Sequence, residues 1–340
     1  MPSKQRVVVV GNGMVGHHFV QQLVSQQGDT QNMEITVLSG EDRLAYDRVQ
    51  LSSFFKGKTE DDLALTCSKT YQDWQVCFHT HSKVVDINRD AKTVTTAKGK
   101  TFEYDKLILA TGSFAFVPPI PGKDREHCLV YRTINDLHAI KKSAHASKVG
   151  VVIGGGLLGL EAANALKQLG LQTHVIEFAP QLMGVQIDGA GGRLLKNKIT
   201  ELGVTVHTSV ATEQIIEGEN SRYKMCFKGG QTLETDMIVF SAGIRPYDNL
   251  AREFNLEIGE RGGIVINNHC QTNDKNIYAI GECALWNNFI FGLVAPGYAM
   301  AKVAAEHVLQ QWSSNKALHT TSNNSSTSAD EFSGADMSTK

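Results

Sequence analysis

Val7-Val8-Val9-Val10 leads into Gly11, Gly13 and Gly16, and an apolar run from Val149 leads into Gly154, Gly156 and Gly159. In such a triad the first glycine permits a tight turn, the second lets the backbone approach a pyrophosphate, and the third lets a helix pack close to its strand. The helix N-terminus then meets the phosphates with N–H groups that have no partner inside the helix. With 31 glycines in 340 residues, the spacing alone arises by chance about 0.25 times per chain. Requiring four apolar residues upstream lowers that to less than about 0.01. The sequence holds two such matches, so two dinucleotides are expected on one chain.

Each triad is followed by an acid. The strand predicted over 172–177 ends in Glu177, where a carboxylate would grip an adenosine ribose. Hydrogen bonds from the ribose hydroxyls would contribute about 1.5 to 3 kcal/mol, roughly 10- to 150-fold. The same charge would repel a 2′-phosphate, so NADH is expected over NADPH. After the first triad the next strand is predicted over 34–38, and the first acid beyond it, Glu41, is the candidate for the other ribose. Glu34 reads as a solvated strand end. The loop Ala45-Tyr46-Asp47-Arg48-Val49-Gln50-Leu51-Ser52-Ser53 leaves the carboxyl end of a strand, where open α/β sheets bind ligands. Arg48 there would neutralise a pyrophosphate or flavin, with an Arg48 to Asp47 surface pair as the plainer alternative. Small residues at Ala110, Thr111 and Gly112 let backbone approach a ligand, Gly243 gives room beside a ring, and Gly281-Glu282 forms a second glycine–acid corner.

These residues need parallel strands with helices between them, which is an α/β class with two Rossmann-like domains. A helix is predicted over 14–27, with Val15, Phe19, Val20 and Leu23 facing a sheet and Gly28 ending it. Thr59 caps a short helix, and 68–74 reads as another. The β-branched runs at 76–79, 84–87, 93–96 and 101–104 suggest one antiparallel unit. Pro118, Pro119 and Pro121 make a stiff crossing, and Arg132 and Thr133 precede a helix. A further helix is predicted over 191–202, and strands over 204–208, 223–227, 232–234 and 237–241 suggest a second small sheet. The last helix runs from Pro296 or Gly297 to Trp312. Beyond it, residues 313–330 are rich in Ser, Thr and Asn, too polar to offset their ordering entropy, and read as a linker.

The length suits two domains, each with a full core. A net charge of -2 and a pI near 6.6 give no general attraction to nucleic acid or to an acidic membrane. The apolar run after Lys4 and Arg6 is too short for a signal peptide, and no segment approaches membrane-spanning length, so a cytoplasmic protein is expected. The six cysteines are scattered, without a C-x-x-C pair, and are expected as small buried residues rather than ligands. His79 and His81 would share a strand face, but no further ligand completes a metal site, and none is expected.

The two triads, Ala110-Thr111-Gly112 and Tyr278-Ala279-Ile280-Gly281-Glu282 together resemble the flavoprotein reductases with two dinucleotide domains, over nearly all of residues 4–312. More narrowly, five stretches resemble the large subunits of NAD(P)H-dependent nitrite reductases. They are Val10-Gly11-Asn12-Gly13-Met14-Val15-Gly16-His17, Ala45-Tyr46-Asp47-Arg48, Gly154 through Ala163, Gly281-Glu282-Cys283-Ala284 and Val294-Ala295-Pro296-Gly297-Tyr298. The resemblance implies an FAD domain at 1–118 and 277–312, interrupted by an NAD(P)H domain at 119–276, with 313–340 a linker and the start of a following segment. It implies FAD pyrophosphate on Gly11, Gly13 and Gly16, FAD ribose on Glu41, the ribityl chain on Glu282, and nicotinamide near Glu161, for which a helix-dipole role is the alternative. The resemblance also adds Asn12, Met14, Ser53, Val85, Arg132 and Leu157 to the residues expected to contact cofactor. The wider group carries Asp where Glu282 stands and a lysine near the flavin where Ser53 stands. Its disulfide- and peroxide-reducing members need a redox cysteine, and none lies between Gly40 and Lys58. The implied activity is hydride transfer from NADH to FAD, in which the cofactors carry the chemistry and no catalytic side chain is assigned. The implied partners are iron–sulfur and siroheme domains of a longer protein serving nitrate assimilation, or a small carrier such as rubredoxin or ferredoxin. The resemblance also presents the chain as a fragment.

Overall fold

The computed structural model describes residues 4–26, 33–317 and 330–334. The chain forms two compact units. The first comprises Met1–Tyr46, Ala64–Ser113 and Pro246–Lys340, and the second Asp47–Leu63 and Phe114–Arg245.

In the first unit a five-stranded sheet runs in the order Ile277–Ala279, Lys106–Leu109, Gln5–Val10, Met33–Leu38, Cys77–His79, every pair parallel. Strands buried on both faces read as continuous apolar runs, and Val7 to Val10 and Leu107 to Leu109 are all buried. The helices Met14–Ser25 and Val294–Ala317 bring Phe19, Val20, Leu23, Met300, Ala304 and Val308 into the same core. Each of these apart from Ala304 contributes about 1.5 to 3 kcal/mol by its burial. Val84–Asn88, Thr93–Thr96 and Thr101–Glu103 form a separate antiparallel sheet.

The second unit repeats the plan. Val204–Thr208, Gln172–Glu177, Val149–Ile153, Met237–Phe240 and Cys128–Val130 lie in that order, all parallel. Thr212–Glu217, Tyr223–Phe227 and Thr232–Thr235 make an antiparallel sheet, packing Ile215, Met225 and Phe227 against Val151, Ile176 and Phe240.

Several expectations change. Cys77–His79 is not part of the antiparallel unit, because its register with Thr36 to Leu38 is parallel and extends the main sheet. His81 lies beyond that strand at φ 50, so strand alternation does not put it on the face of His79. The residues at 204–208 and 237–240 likewise join the five-stranded sheet, and the small sheet gains Thr212–Glu217 instead. The helix expected over 191–202 is Gly189–Glu201, capped by Asp188. The helix expected over 14–27 ends at Ser25, and Gly28 lies outside the described residues. The expected interruption at 119–276 differs from the division into units. Leu250, Ala251, Leu256, Ile264 and Ile266 are buried in the first unit's core, which draws the chain from Pro246 onward into it. The last helix continues to Ala317, and Phe332, inside the expected start of a following segment, is buried at 2% exposure. Among the described residues no helix is long and apolar enough to cross a membrane.

Candidate nucleotide-binding sites

In both units the glycine triad follows the strand at the centre of its sheet. There the chain leaves for neighbours on opposite sides, and the carboxyl ends open a crevice. The two turns are built alike. Gly11 has φ +105 and its N–H donates to the Leu38 carbonyl at 2.9 Å; Gly154 has φ +120 and donates to the Ile176 carbonyl at 2.8 Å. A Cβ on Gly11 would stand 2.2 Å from the Ala110 carbonyl oxygen, and one on Gly154 would stand 2.2 Å from that of Ser241. The third glycines close the packing of helix on turn. A Cβ on Gly16 would lie 2.3 Å from the Gly11 oxygen, and one on Gly159 would lie 1.9 Å from the Gly154 oxygen. The middle glycines, Gly13 and Gly156, are the N-caps of twelve-residue helices, with no side-chain cap and no acid in the first turn. A Cβ on Gly156 would meet nothing within 4 Å. Neither the N-cap residue nor an acid of the first turn thus supplies these N–H groups with a side-chain acceptor, and the space over Gly156 is clear. Such an arrangement fits an anionic pyrophosphate.

In the first unit Asn12 is buried within the turn. Its Oδ1 accepts from the Tyr71 hydroxyl at 2.7 Å, and Tyr71 Oη lies 2.9 Å from His17 Nδ1. Because the tyrosine proton goes to Asn12, His17 Nδ1 is the donor to Tyr71, which fixes the tautomer. Burial, and secondarily the charge of His18, lowers the His17 pKa to about 4, so this chain of three groups is neutral. Asn12 Nδ2 is buried with no hydrogen-bond partner among the described residues, a donor that a phosphate oxygen would satisfy. Met14 opens the helix. Glu41, half-buried, accepts from the Tyr46 hydroxyl at 2.9 Å. Val85 is the bulged residue between the pairs Val84–Thr96 and Asp86–Thr95, and its side chain is exposed. The turn after Lys106–Leu109 is locked by Thr111 Oγ1 donating to the Tyr247 carbonyl at 2.7 Å and by Tyr247 N–H donating to the Gly112 carbonyl at 2.8 Å. Gly112 has φ +68, with open space where a Cβ would stand. Gly281 and Glu282 lie in a single 3-10 turn, and Ser113 Oγ donates to Glu282 Oε2 at 2.8 Å.

In the second unit Glu177 does more than end its strand. Its two oxygens accept from the Gly155 N–H at 2.5 Å and the Ala179 N–H at 2.6 Å, so it ties the glycine turn to the chain after the strand. Leu157 is half exposed at the helix start, and Gly243, at φ +106, has open space beside it. Arg48 Nη1 donates to the Arg132 carbonyl at 3.0 Å. Asp47 instead caps its own loop, accepting from the Val49 and Gln50 N–H groups. Ser53 Oγ returns to the Gln50 carbonyl at 2.6 Å.

Two residues escaped the sequence reading. Lys56 ends the 3-10 helix Leu51–Lys56, one turn beyond Ser53, and three-residue periodicity sets positions 53 and 56 on one face. Burial raises the Glu161 pKa and the Lys56 charge opposes that rise. Phe178 follows Glu177 at 79% exposure. Its backbone is held on both sides, by Val210 N–H on the Glu177 carbonyl at 3.1 Å and Ser209 N–H on the Ala179 carbonyl at 3.0 Å. An apolar ring after a strand-ending acid was the available signal. Of the cysteines, Cys270 and Cys283 are buried, Cys128 and Cys226 are intermediate, and Cys67 and Cys77 are exposed, against the expectation that all six are buried. The exposed pair lie on or beside short edge elements, which cover them incompletely. Among the described residues no group of three or more His, Cys, Asp or Glu could hold a metal ion.

The profile of the pyridine nucleotide-disulphide oxidoreductase family matches residues 5–309. The chain is 50% identical over 339 residues to the nitrite reductase (NADH) large subunit of Escherichia coli, covering 99% of this chain and 38% of that protein. It is 38% identical over 307 residues to a nitrite reductase [NAD(P)H] of Bacillus subtilis, covering 90% of this chain and 38% of that one. The chain therefore spans well under half the length of these curated relatives. Among solved structures, a ferredoxin reductase from Rhodopseudomonas palustris superposes with a TM-score of 0.84 at 25% identity, covering 90% of this chain and 76% of the other. The fold is that of flavin- and NAD(P)H-dependent reductases.

Proposed function

Since the chain belongs to the pyridine nucleotide-disulphide oxidoreductase family, we propose that it is an FAD module that oxidises NADH. It would be the electron-entry part of an NAD(P)H nitrite reductase large subunit. The observation that carries this reading is the duplicated turn, in which two glycine triads of the same geometry each precede an uncapped helix. The 50% identity to the E. coli protein supports the narrower assignment. Nitrite reduction would fall to iron–sulfur and siroheme domains outside these 340 residues, which by themselves would show diaphorase activity.

When bound, FAD would supply the hydride acceptor and NADH the donor, so that the protein contributes position and electrostatics rather than a proton shuttle. In the first unit the N–H groups after Gly13 and the amide of Asn12 would hold the FAD pyrophosphate. Glu41 would hold its ribose, Glu282 its ribityl chain, and the bulged backbone at Val85 its adenine end. Ala110, Thr111 and Gly112 would bring main chain against the flavin. In the second unit the N–H groups after Gly156 would hold the NADH pyrophosphate and Glu177 its adenosine ribose. Gly243 would leave room for a ring, and Glu161, partnered by Lys56, would face the nicotinamide. Arg48 and Arg132 would offset phosphate charge. Glu177 excludes a 2′-phosphate, which makes NADH the coenzyme.

Anaerobic addition of NADH to FAD-loaded protein tests the reading. Rapid bleaching of the flavin band is expected; an unchanged yellow colour would make this a nucleotide-sensing protein without turnover. A second reading, a free-standing reductase of a small carrier, draws on the likeness to a ferredoxin reductase. It requires NADH-dependent reduction of added ferredoxin or rubredoxin by these residues alone.

A further inference from the structure

Residues 330–334 lie against the first unit although the twelve positions 318–329 separate them from the last helix. Phe332 is 2% exposed, its ring edge-on to Trp286 at 5.1 Å and to Phe291 at 5.7 Å between centroids. Its N–H donates to the Asn268 carbonyl at 2.7 Å. The Asn268 side chain serves both sides, with Nδ2 donating to Glu331 Oε2 at 3.0 Å and Oδ1 accepting from Trp286 Nε1 at 3.0 Å. Lys302 on the last helix donates to Asp330 at 3.3 Å, and His269 Nε2 stands 3.9 Å from Glu331 Oε1. Gly334 takes φ +94, where a Cβ would come within 3.2 Å of the Trp286 ring.

An aromatic anchor, a main-chain hydrogen bond and two acids facing two bases are the parts of a peptide-recognition site. Phe332 is also the one aromatic residue after Trp312 in the sequence, so the seat selects the position with the most apolar surface to bury. We infer that Asn268, His269, Trp286, Phe291 and Lys302 form a docking seat for this chain's own acidic–aromatic segment, residues 330–334. The seat fixes the start of any polypeptide that follows to the first unit. In a longer protein it would launch the next segment from a defined point on the first unit.

The test is amide exchange on the full chain, read by mass spectrometry on the peptide around Phe332. At least about 30-fold slowing of the Phe332 amide relative to an unstructured peptide is expected. Phe332→Ala should abolish it, and a labelled synthetic peptide of residues 326–336 should then bind the Phe332→Ala chain saturably but not the wild type. Should Phe332→Ala fail to fold, the double variant Asp330→Lys, Glu331→Lys, at two exposed positions, repeats the measurement. Free exchange at Phe332 in the wild type, or protection that survives these changes, overturns the inference. So does protection that rises with protein concentration, which would assign the segment to a second copy. None of these readouts requires flavin or NADH.

Discussion

Replacing Glu177 by arginine perturbs two separable quantities. The carboxylate accepts backbone N–H groups from Gly155 and Ala179 at 2.5 and 2.6 Å. Hydrogen bonds to a charged acceptor contribute about 1.5 to 3 kcal/mol each. Water reaches the half-buried side chain and recovers part of this, so a loss of about 3 kcal/mol is expected, lowering the melting temperature by about 6 to 10 °C. The second quantity is coenzyme choice. Losing the ribose acceptor and gaining a cation for the 2′-phosphate should lower the ratio of kcat/KM for NADH to that for NADPH by about 10- to 150-fold. The assay is steady-state reduction of ferricyanide with each coenzyme, with melting curves on the same samples. Glu177→Gln is the control, since it keeps the length and one acceptor oxygen but adds no cation, and it should fall between the two. If Glu177→Arg folds and the coenzyme ratio stays within about twofold of wild type, the placement of the ribose is refuted and the residue only holds the turn.

The glycines of the second triad should fail differently. Gly159→Ala puts a Cβ 1.9 Å from the Gly154 oxygen, forcing the helix off its strand, and should cost about 1 to 3 kcal/mol in urea unfolding. Gly156→Ala meets no atom within 4 Å, so its melting curve should barely move while the NADH Kd rises at least about tenfold; equal effects at the two positions would contradict this division. Acid should destabilise the first unit through His17. Its folded pKa of about 4 lies below the ordinary 6.5, so below pH 6.5 the unfolded chain takes up the proton that the native state refuses. Stability is then lost as pH falls from 6.5 toward 4, by about 3 kcal/mol at the lower end. Urea midpoints at pH 7, 5 and 4 should show the loss, and His17→Phe should reduce it. Phe178→Ala, at an exposed ring, should leave stability unchanged yet raise KM for NADH by about 2- to 10-fold through lost stacking on adenine. KM for reduced nicotinamide mononucleotide, which lacks adenine, should not change.

Much of this architecture is written in short-range terms. A positive φ at Gly11 and Gly154 follows from a strand that must turn straight into a helix, and the close contacts of Gly16 with Gly11 and of Gly159 with Gly154 follow from a five-residue separation across that turn. Continuous apolar runs at 7–10 and 149–153 announce central parallel strands for the same local reason. Spacing of this kind survives in the sequence because sterics over a few residues impose it.

Choices among distant partners are not local, and there the tertiary structure decided. Two short runs expected in small antiparallel sheets, 76–79 and 204–208, instead pair in parallel with a main sheet, through Cys77–His79 and Val204–Thr208, across a long separation. Asn12 gives no sign that Tyr71, 59 residues away, will orient it, or that His17 will complete the chain. Lys56 stands one 3-10 turn from the expected position, a shift visible only once the helix type is known. Residue 330 closes the expected linker and residues 331–334 open the expected following segment, and nothing in either stretch announces that Trp286, Phe291 and Asn268 converge on Phe332. A pocket for one ring is assembled from residues far apart in the chain, and its depth depends on packing that no window of sequence contains.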